Sequence, residues 1–307
     1  MTFEQIDRDC AFFGSALPEP YVKLQLAAEL RKRKLLLPER GAKAKALQKR
    51  WDVLRRELRG VGDHSTWITV RNRVLTPLTD MLGYETLERQ DEVRTREGDE
   101  DGGWLMRTAD GSAKLRCWAV DAGADLDAPN RRGRAFRFSH SRVAQRVLLE
   151  EKERVGLLTD GTELRVLLCD PARPDSHIVV RLDKNTGGWG GTRELPDSYR
   201  LVWALTSSDG VGQVEEIVER ARLGQTEVTR ELRKQARRAV EGFVQAVLDH
   251  PRNAELLRGR DADELAKELW REGLVFVYRL LFIFKLESSG ERARAFSFSS
   301  NALWRQT

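Results

Sequence analysis

"ERVGLLTDGTELRVLL", residues 153–168, is the stretch on which the fold turns. It reads as the end of a helix, a tight turn at Asp160-Gly161, and a strand over about 163–169 that stops at Cys169-Asp170-Pro171. Asp-Gly between apolar runs marks a chain reversal, because glycine enters the left-handed region without steric cost. Downstream, "HIVVRLD" (177–183) is a second strand, placed to pair with the first across the Pro171/Pro174 loop. Upstream, "SHSRVAQRVLLEEKERV" (139–155) is a helix opened by Ser139 or Ser141. Before it, "AKLRCWAVDA" (113–122) alternates, with Leu115, Cys117 and Ala119 on one face and Trp118 and Val120 on the other. Both faces are apolar, as in a central strand. Strand, helix and strand in this order imply a sheet covered by helices.

Further outward the helical pattern dominates. "YVKLQLAAELRKRKLL" and "AKALQKRWDVLRRELRG" read as two helices broken at Pro38 and Gly41, and Leu47, Trp51, Leu54 and Leu58 make one apolar face of the second. A helix over about 67–82 follows Ser65 or Thr66, stops at Gly83 and is open to kinking at Pro77. "TREGDEDGG" (95–103) reads as a polar loop between short extended segments, the second of them "WLMRT". "NTGGWGGTRELPDSY" reads as a loop, and "YRLVWALTS" as a short strand or the start of a helix. From about residue 211 the pattern is helical, and "LVFVYRLLFIFKL" (274–286) reads as a buried helix: it is too short to span a bilayer and carries Arg279 in its middle. The implied organisation is a helical basic arm (1–62), an α/β domain (63–208) and an α-helical end (209–307).

The 307 residues, 40% hydrophobic and 33% charged, suit a globular chain able to bury a large core. The net charge of +5 is unevenly spread. Residues 21–60 hold 13 Lys and Arg against four acids, and residues 130–146 hold six Arg and no acid. In "NRRGRAFRFSHSRVAQR", Phe136 and Phe138 interleave with Arg131, Arg132, Arg134, Arg137 and Arg142 just before a helix start. Guanidinium forks and helix N-termini both suit phosphate, so these arginines are candidate DNA contacts, with Arg31, Lys32, Arg33 and Lys34 as a second patch. The alternatives are a solvated outer face for the second patch, and pairing with acidic protein surface for the first. Cys10, Cys117 and Cys169 have no metal-ligand spacing and fit reduced thiols in a cytoplasm, and no secretory signal is visible.

The element order of the middle segment is that of a restriction-endonuclease-like core, whose chemistry needs an Asp and a Glu-x-Lys converging on Mg²⁺. At the Glu-x-Lys position this chain reads Asp121-Ala122-Gly123, and the Lys is missing. Asp125 and Asp127 lie just beyond, as weak degenerate candidates with Asp121. Glu150-Glu151-Lys152 matches only by letters, inside an expected helix. No glycine-rich cofactor turn, Asn/Asp-Pro-Pro-aromatic loop, P-loop or nucleophile elbow is present, and His64, His140, His177 and His250 are scattered as surface or capping residues.

"WAVDAGADLDAP", "SHSRVAQRVLLEEKERVGLLTDGTELRVLL" and "VYRLLFIFKLES" together resemble the N-terminal part of large adenine-specific DNA methyltransferases. These are the type IIG restriction-modification enzymes and their relatives in the BREX and DISARM phage-defence systems. "GLLTDGTELRVLL" is similar to that group's Gly-Leu-hydrophobic-Thr-Asn/Asp-Gly turn and strand, and "YRLLFIFKLES" to its connector helix. Over roughly 70–300 the resemblance implies a nuclease-like α/β domain, here degenerate, and a helical connector leading to a methyltransferase domain beyond Thr307. The missing Lys points to the methylation-only relatives, DISARM first. Double-stranded DNA and other defence subunits are the implied partners, with no membrane. No cofactor is implied for this segment, and S-adenosylmethionine is implied for the intact protein. The other readings are a protein–protein interaction module and an active Mg²⁺-dependent nuclease.

Overall fold

A computed structural model describes residues 3, 6, 10–129, 138–170, 173–183, 187–253 and 258–288. The elements are β1 (Cys10–Phe13), α1 (19–32), α2 (Gly41–Leu58), α3 (67–81), β2 (Thr86–Arg89), β3 (Val93–Thr95), β4 (Gly98–Glu100), β5 (Trp104–Arg107) and β6 (Lys114–Ala119). They continue with α4 (His140–Glu150), β7 (Val155–Thr159), β8 (Glu163–Asp170), β9 (Arg173–Arg181), α5 (Asp197–Thr206), α6 (Val214–Asp249) and α7 (Ala262–Ser288). Seven strands form one mixed sheet in the order β1-β9-β8-β7-β6-β5-β2, while β3 and β4 make a separate hairpin. Among the described residues only β6 and β7 run parallel, Cys117 lying opposite Leu157, and α4 makes the crossover between them. The chain divides into two compact units, Met1–Gly224 and Gln225–Thr307.

The alternation expected for 113–122 fixes the two faces of the sheet. Leu115 and Cys117 of β6, Val155 and Leu157 of β7, and Leu164 and Val166 of β8 join one large core with α1, α2, α3 and α5. Trp118, Leu158 and Leu167 face the other way, onto Ala144, Val147 and Leu148 of α4. The sheet is thus covered on both sides. Trp51 of α2 lies at the centre of the larger core, 5.5 Å from Trp189 and 5.2 Å from Tyr199 by ring centroid. Such tilted aromatic pairs add about 0.5–1.5 kcal/mol beyond their buried area. The glycine-rich loop after β9 is anchored here, because Trp189 Nε1 donates to Ser198 Oγ at 2.8 Å.

Several expectations change. Residues 153–159 are not the end of a helix. Helix α4 stops at Glu150, Lys152 takes a φ of 58°, and Val155–Thr159 is a central strand buried along its whole length. A continuous apolar run has the same periodicity in a buried helix and a buried strand, so "VGLL" alone does not decide. The polar stretch 95–103 contains the β3–β4 turn, with Val93 opposite Glu100. "YRLVWALTS" is helical, as α5. An edge strand not foreseen in the sequence, β1, pairs with β9. Pro77 has a clear effect on α3: the turn before it, Arg71–Leu75, is π-wound, with Thr76 N–H bonding to Arg71 O. A proline cannot supply the i→i−4 donor, and the helix absorbs the loss one turn earlier.

In the second unit, Phe243 of α6 stacks on Phe276 of α7 at 4.8 Å, and Gly273 lets the helices approach closely: a Cβ there would lie 3.0 Å from Val240. The helix expected to be buried at 274–286 is instead largely exposed over 274–284, with Leu274, Phe276, Leu281 and Phe282 all open and Tyr278 72% exposed. The segment is apolar around its whole circumference, and two packed helices cover only part of it. Among the described residues no helix is long and apolar enough to cross a membrane.

Candidate functional site

At the carboxyl end of the parallel pair β6–β7 the chain leaves Ala119 and returns at His140, and beside this exit lies a cleft of about 820 Å³. Open sheets bind ligands at such ends, where strands stop and loops begin. The cleft is lined by Trp67, Arg89, Asp101, Trp104, Trp118 and His140, together with Asp121. Four of them sit at the start or end of an element: Trp67 opens α3, Trp104 opens β5, Arg89 ends β2 and His140 opens α4.

The walls are mutually braced. Trp67 and Trp104 have ring centroids 5.6 Å apart, and the Arg89 guanidinium lies 4.6 Å over Trp104. Arg89 also pairs with Asp101 at 2.8 Å. Trp118 Nε1 donates to the Asp101 carbonyl at 2.9 Å, and Gly103, at a φ of 69°, has no room for a Cβ against Trp118. The Gly102-Gly103 pair is therefore a steric requirement of the cleft wall. Trp104 and Trp118 are nearly buried, whereas Trp67 is 41% exposed and offers the most open ring. Burial holds the His140 pKa below its ordinary value, against the pull of Asp101 and Asp121, so the ring is neutral near pH 7.

The three aspartates considered for metal do not converge. Asp121 Oδ1 accepts from Trp67 N–H at 2.8 Å, capping the first turn of α3. Asp125 Oδ1 accepts from the N–H groups of Asp127 and Ala128, closing its own loop. Asp127 pairs with buried Arg165 at 2.6 Å, and that hydrogen bond holds its carboxyl below the usual range. Among the described residues no group of three or more His, Cys, Asp or Glu is placed to hold a metal ion.

Arg131, Arg132, Arg134 and Arg137 lie outside the described residues. Arg142 is exposed on the first turn of α4, its guanidinium 5.7 Å from Phe138, and Ser139 caps the helix by accepting from Arg142 N–H. Arg146 is committed to the fold, 4.3 Å from the Phe138 ring and bonded to Thr95 Oγ1 at 2.8 Å. In the second patch Arg31, Lys32 and Lys34 are exposed, while Arg33 pairs with Glu29 and Glu216. Of the described members, Arg142 and the second patch lie on different sides of the sheet: α4 covers one face and α1 the other. The tryptophan cleft was not foreseen from the sequence, although the Gly-Gly-Trp run and the apolar outer face of 113–122 were its visible traces.

A second cavity, of about 250 Å³, lies among Arg154, Cys169, Asp170, Val214 and Glu215. Burial pushes the Cys169 thiol up to about 12, which leaves no thiolate for chemistry there. No family model, no curated protein and no solved structure matches this chain.

Proposed function

We propose that this chain is the non-catalytic, DNA-engaging and scaffolding region of a phage-defence DNA adenine-N6 methyltransferase, of the type IIG, BREX or DISARM kind. The observation that carries the reading is the element order: helix α3, the antiparallel strands β2, β5 and β6, the crossover helix α4, then parallel β7. Restriction-endonuclease-like cores share that order, and here the arginine-bearing segment 130–137 is inserted between β6 and α4. With Asp121 and Asp127 each engaged by the fold itself, the reading is a nuclease-like frame turned to binding. Phosphate contacts by Arg131, Arg132, Arg134, Arg137 and Arg142 would position a duplex without reading its sequence, with Arg31, Lys32 and Lys34 as a separate patch. Methyl transfer from S-adenosylmethionine would belong to the part of the intact protein that follows.

The test is duplex binding across a salt series. Counterion release gives a log-log slope of about −0.9 per phosphate neutralised, so charge reversal at Arg131, Arg134 and Arg137 should flatten the slope by roughly 2 to 3 and weaken binding at least tenfold. Unchanged binding would remove the arginines from the interface. An active nuclease instead predicts Mg²⁺-dependent nicking that vanishes in Asp121→Ala. The interaction-module reading is favoured by the apolar residues that α7 leaves exposed, and it predicts capture of a defence subunit with no affinity for DNA.

A further inference from the structure

The cleft at the end of β6 has a chemistry that phosphate binding does not use. It combines an open indole, two carboxylates and one guanidinium around about 820 Å³. A flat, apolar, π-faced group suits Trp67, because every nucleobase has a ring face to stack and stacking needs no sequence readout. The carboxylates select among planar groups. An ionised carboxylate only accepts hydrogen bonds and has room for about four, so Asp121, which takes Trp67 N–H on Oδ1, retains capacity for an amino donor. His140 lines the same cleft. A ligand cation is disfavoured: Arg89 already occupies the cation–π position over Trp104. That same guanidinium lines the cleft, is half exposed and matches a phosphate oxygen.

We propose that this cleft holds an unpaired nucleobase carrying an exocyclic amino group, stacked on Trp67 with its amino group toward Asp121 and Asp101 and its phosphate at Arg89. The proposal rests on the nucleic-acid reading above and adds the substrate form: a base outside the stack, from a strand or as a free nucleotide. Extruding a base from a duplex costs a few kcal/mol, least where it is already unpaired, so bulged DNA is the favoured source.

The experiment uses the full chain and three ligands: a fully paired duplex, the same duplex with one bulged 2-aminopurine, and the mononucleotides dAMP and dTMP. Expected are tighter binding of the bulged duplex, a change in 2-aminopurine fluorescence, and quenching of protein fluorescence by dAMP at lower concentration than by dTMP. Trp67→Ala should weaken the bulged duplex and dAMP roughly tenfold, with Trp67→Phe restoring most of it. Arg89→Gln should weaken dAMP by a larger factor than deoxyadenosine, a comparison that survives if Trp67→Ala does not fold, and an equal loss for both would remove the phosphate from Arg89. Equal binding of paired and bulged duplexes, with no 2-aminopurine response and no dAMP quenching, overturns the proposal even where salt-dependent duplex binding persists. Equal affinity for dTMP and dAMP also overturns it. A dAMP response that requires Trp67, with no binding to either DNA, keeps the cleft as a free-nucleotide site and sinks the DNA reading.

Discussion

Arg116 shows how a single charged residue can be built into the middle of a sheet. It sits on β6 between core positions and is 3% exposed, yet nearly every donor has a partner: Nε to Glu153 at 2.8 Å, Nη2 to Glu151 at 3.0 Å and Nη1 to the Gly102 carbonyl at 2.8 Å. Lys114 closes the group on Glu153 at 3.0 Å. Removing one member of a buried pair strands the other, so Glu153→Ala should cost about 3 kcal/mol in urea unfolding, whereas an exposed pair is worth under about 1 kcal/mol. A cost below that smaller figure would mean that Arg116 finds water or another acid. Two histidines give a pH signature of common origin. Burial depresses both His140 and His177, so their folded pKa values lie under the unfolded value of about 6.5. The unfolded chain then takes up protons first as pH falls. Stability contributed by the neutral rings is complete above about pH 7, begins to decline near 6.5 and levels off below the folded values. His177 stacks on Phe13 at 4.8 Å, so His177→Phe should keep the contact and flatten part of that decline in melts between pH 7.5 and 5.

Among the elements, the Asp160-Gly161 turn links β7 to β8 and sets their register, Thr159 opposite Leu164. Asp160 is nearly buried, and its Oδ1 accepts from the N–H groups of Thr162 and Glu163. Gly161 has a φ of 84°, and a Cβ there would lie 2.7 Å from Val61. Gly161→Ala combines left-handed strain with that clash and should destabilise by about 1–3 kcal/mol, more than Ser139→Ala at the α4 cap, for which about 1 kcal/mol is expected. The reverse order, read from denaturant midpoints, would mean that the turn relaxes freely. This turn was legible in the sequence because its signal is local: Asp-Gly between apolar runs. The strand before it was not, because "VGLLT" is apolar on both faces and only its place between β6 and β8 determines its conformation. The β1 edge strand was missed for a similar reason, since four residues carry too little pattern without the partner β9.

At the scale of the whole molecule, the larger core draws on α1, α2, α3 and α5 as well as the sheet, so the basic residues of 21–60 ride on helices whose other faces are deeply buried. The alternation in 113–122 gave the two covered faces directly. The cleft could not be read the same way, because Trp67, Trp104 and Trp118 are separated in sequence and meet only when α3, β5 and β6 are assembled. In the chain's last third, periodicity gave the helices but not their burial: "LVFVYRLLFIFKL" is apolar enough for a core, and the described residues supply only part of one. Val214, Ile217 and Ala221 of α6 belong to the core of the first unit, while the Phe243–Phe276 stack lies wholly within the second. A chain ending at Gly224 should therefore keep a single cooperative unfolding transition, with an m-value reduced in proportion to the surface lost. It should also lose most of the hydrophobic-dye binding that α7 gives the full chain, since Leu281 and Phe282 are absent from it. A shortened chain with no cooperative transition would show that the two units fold only together, and undiminished dye binding would place the accessible apolar surface in the first unit.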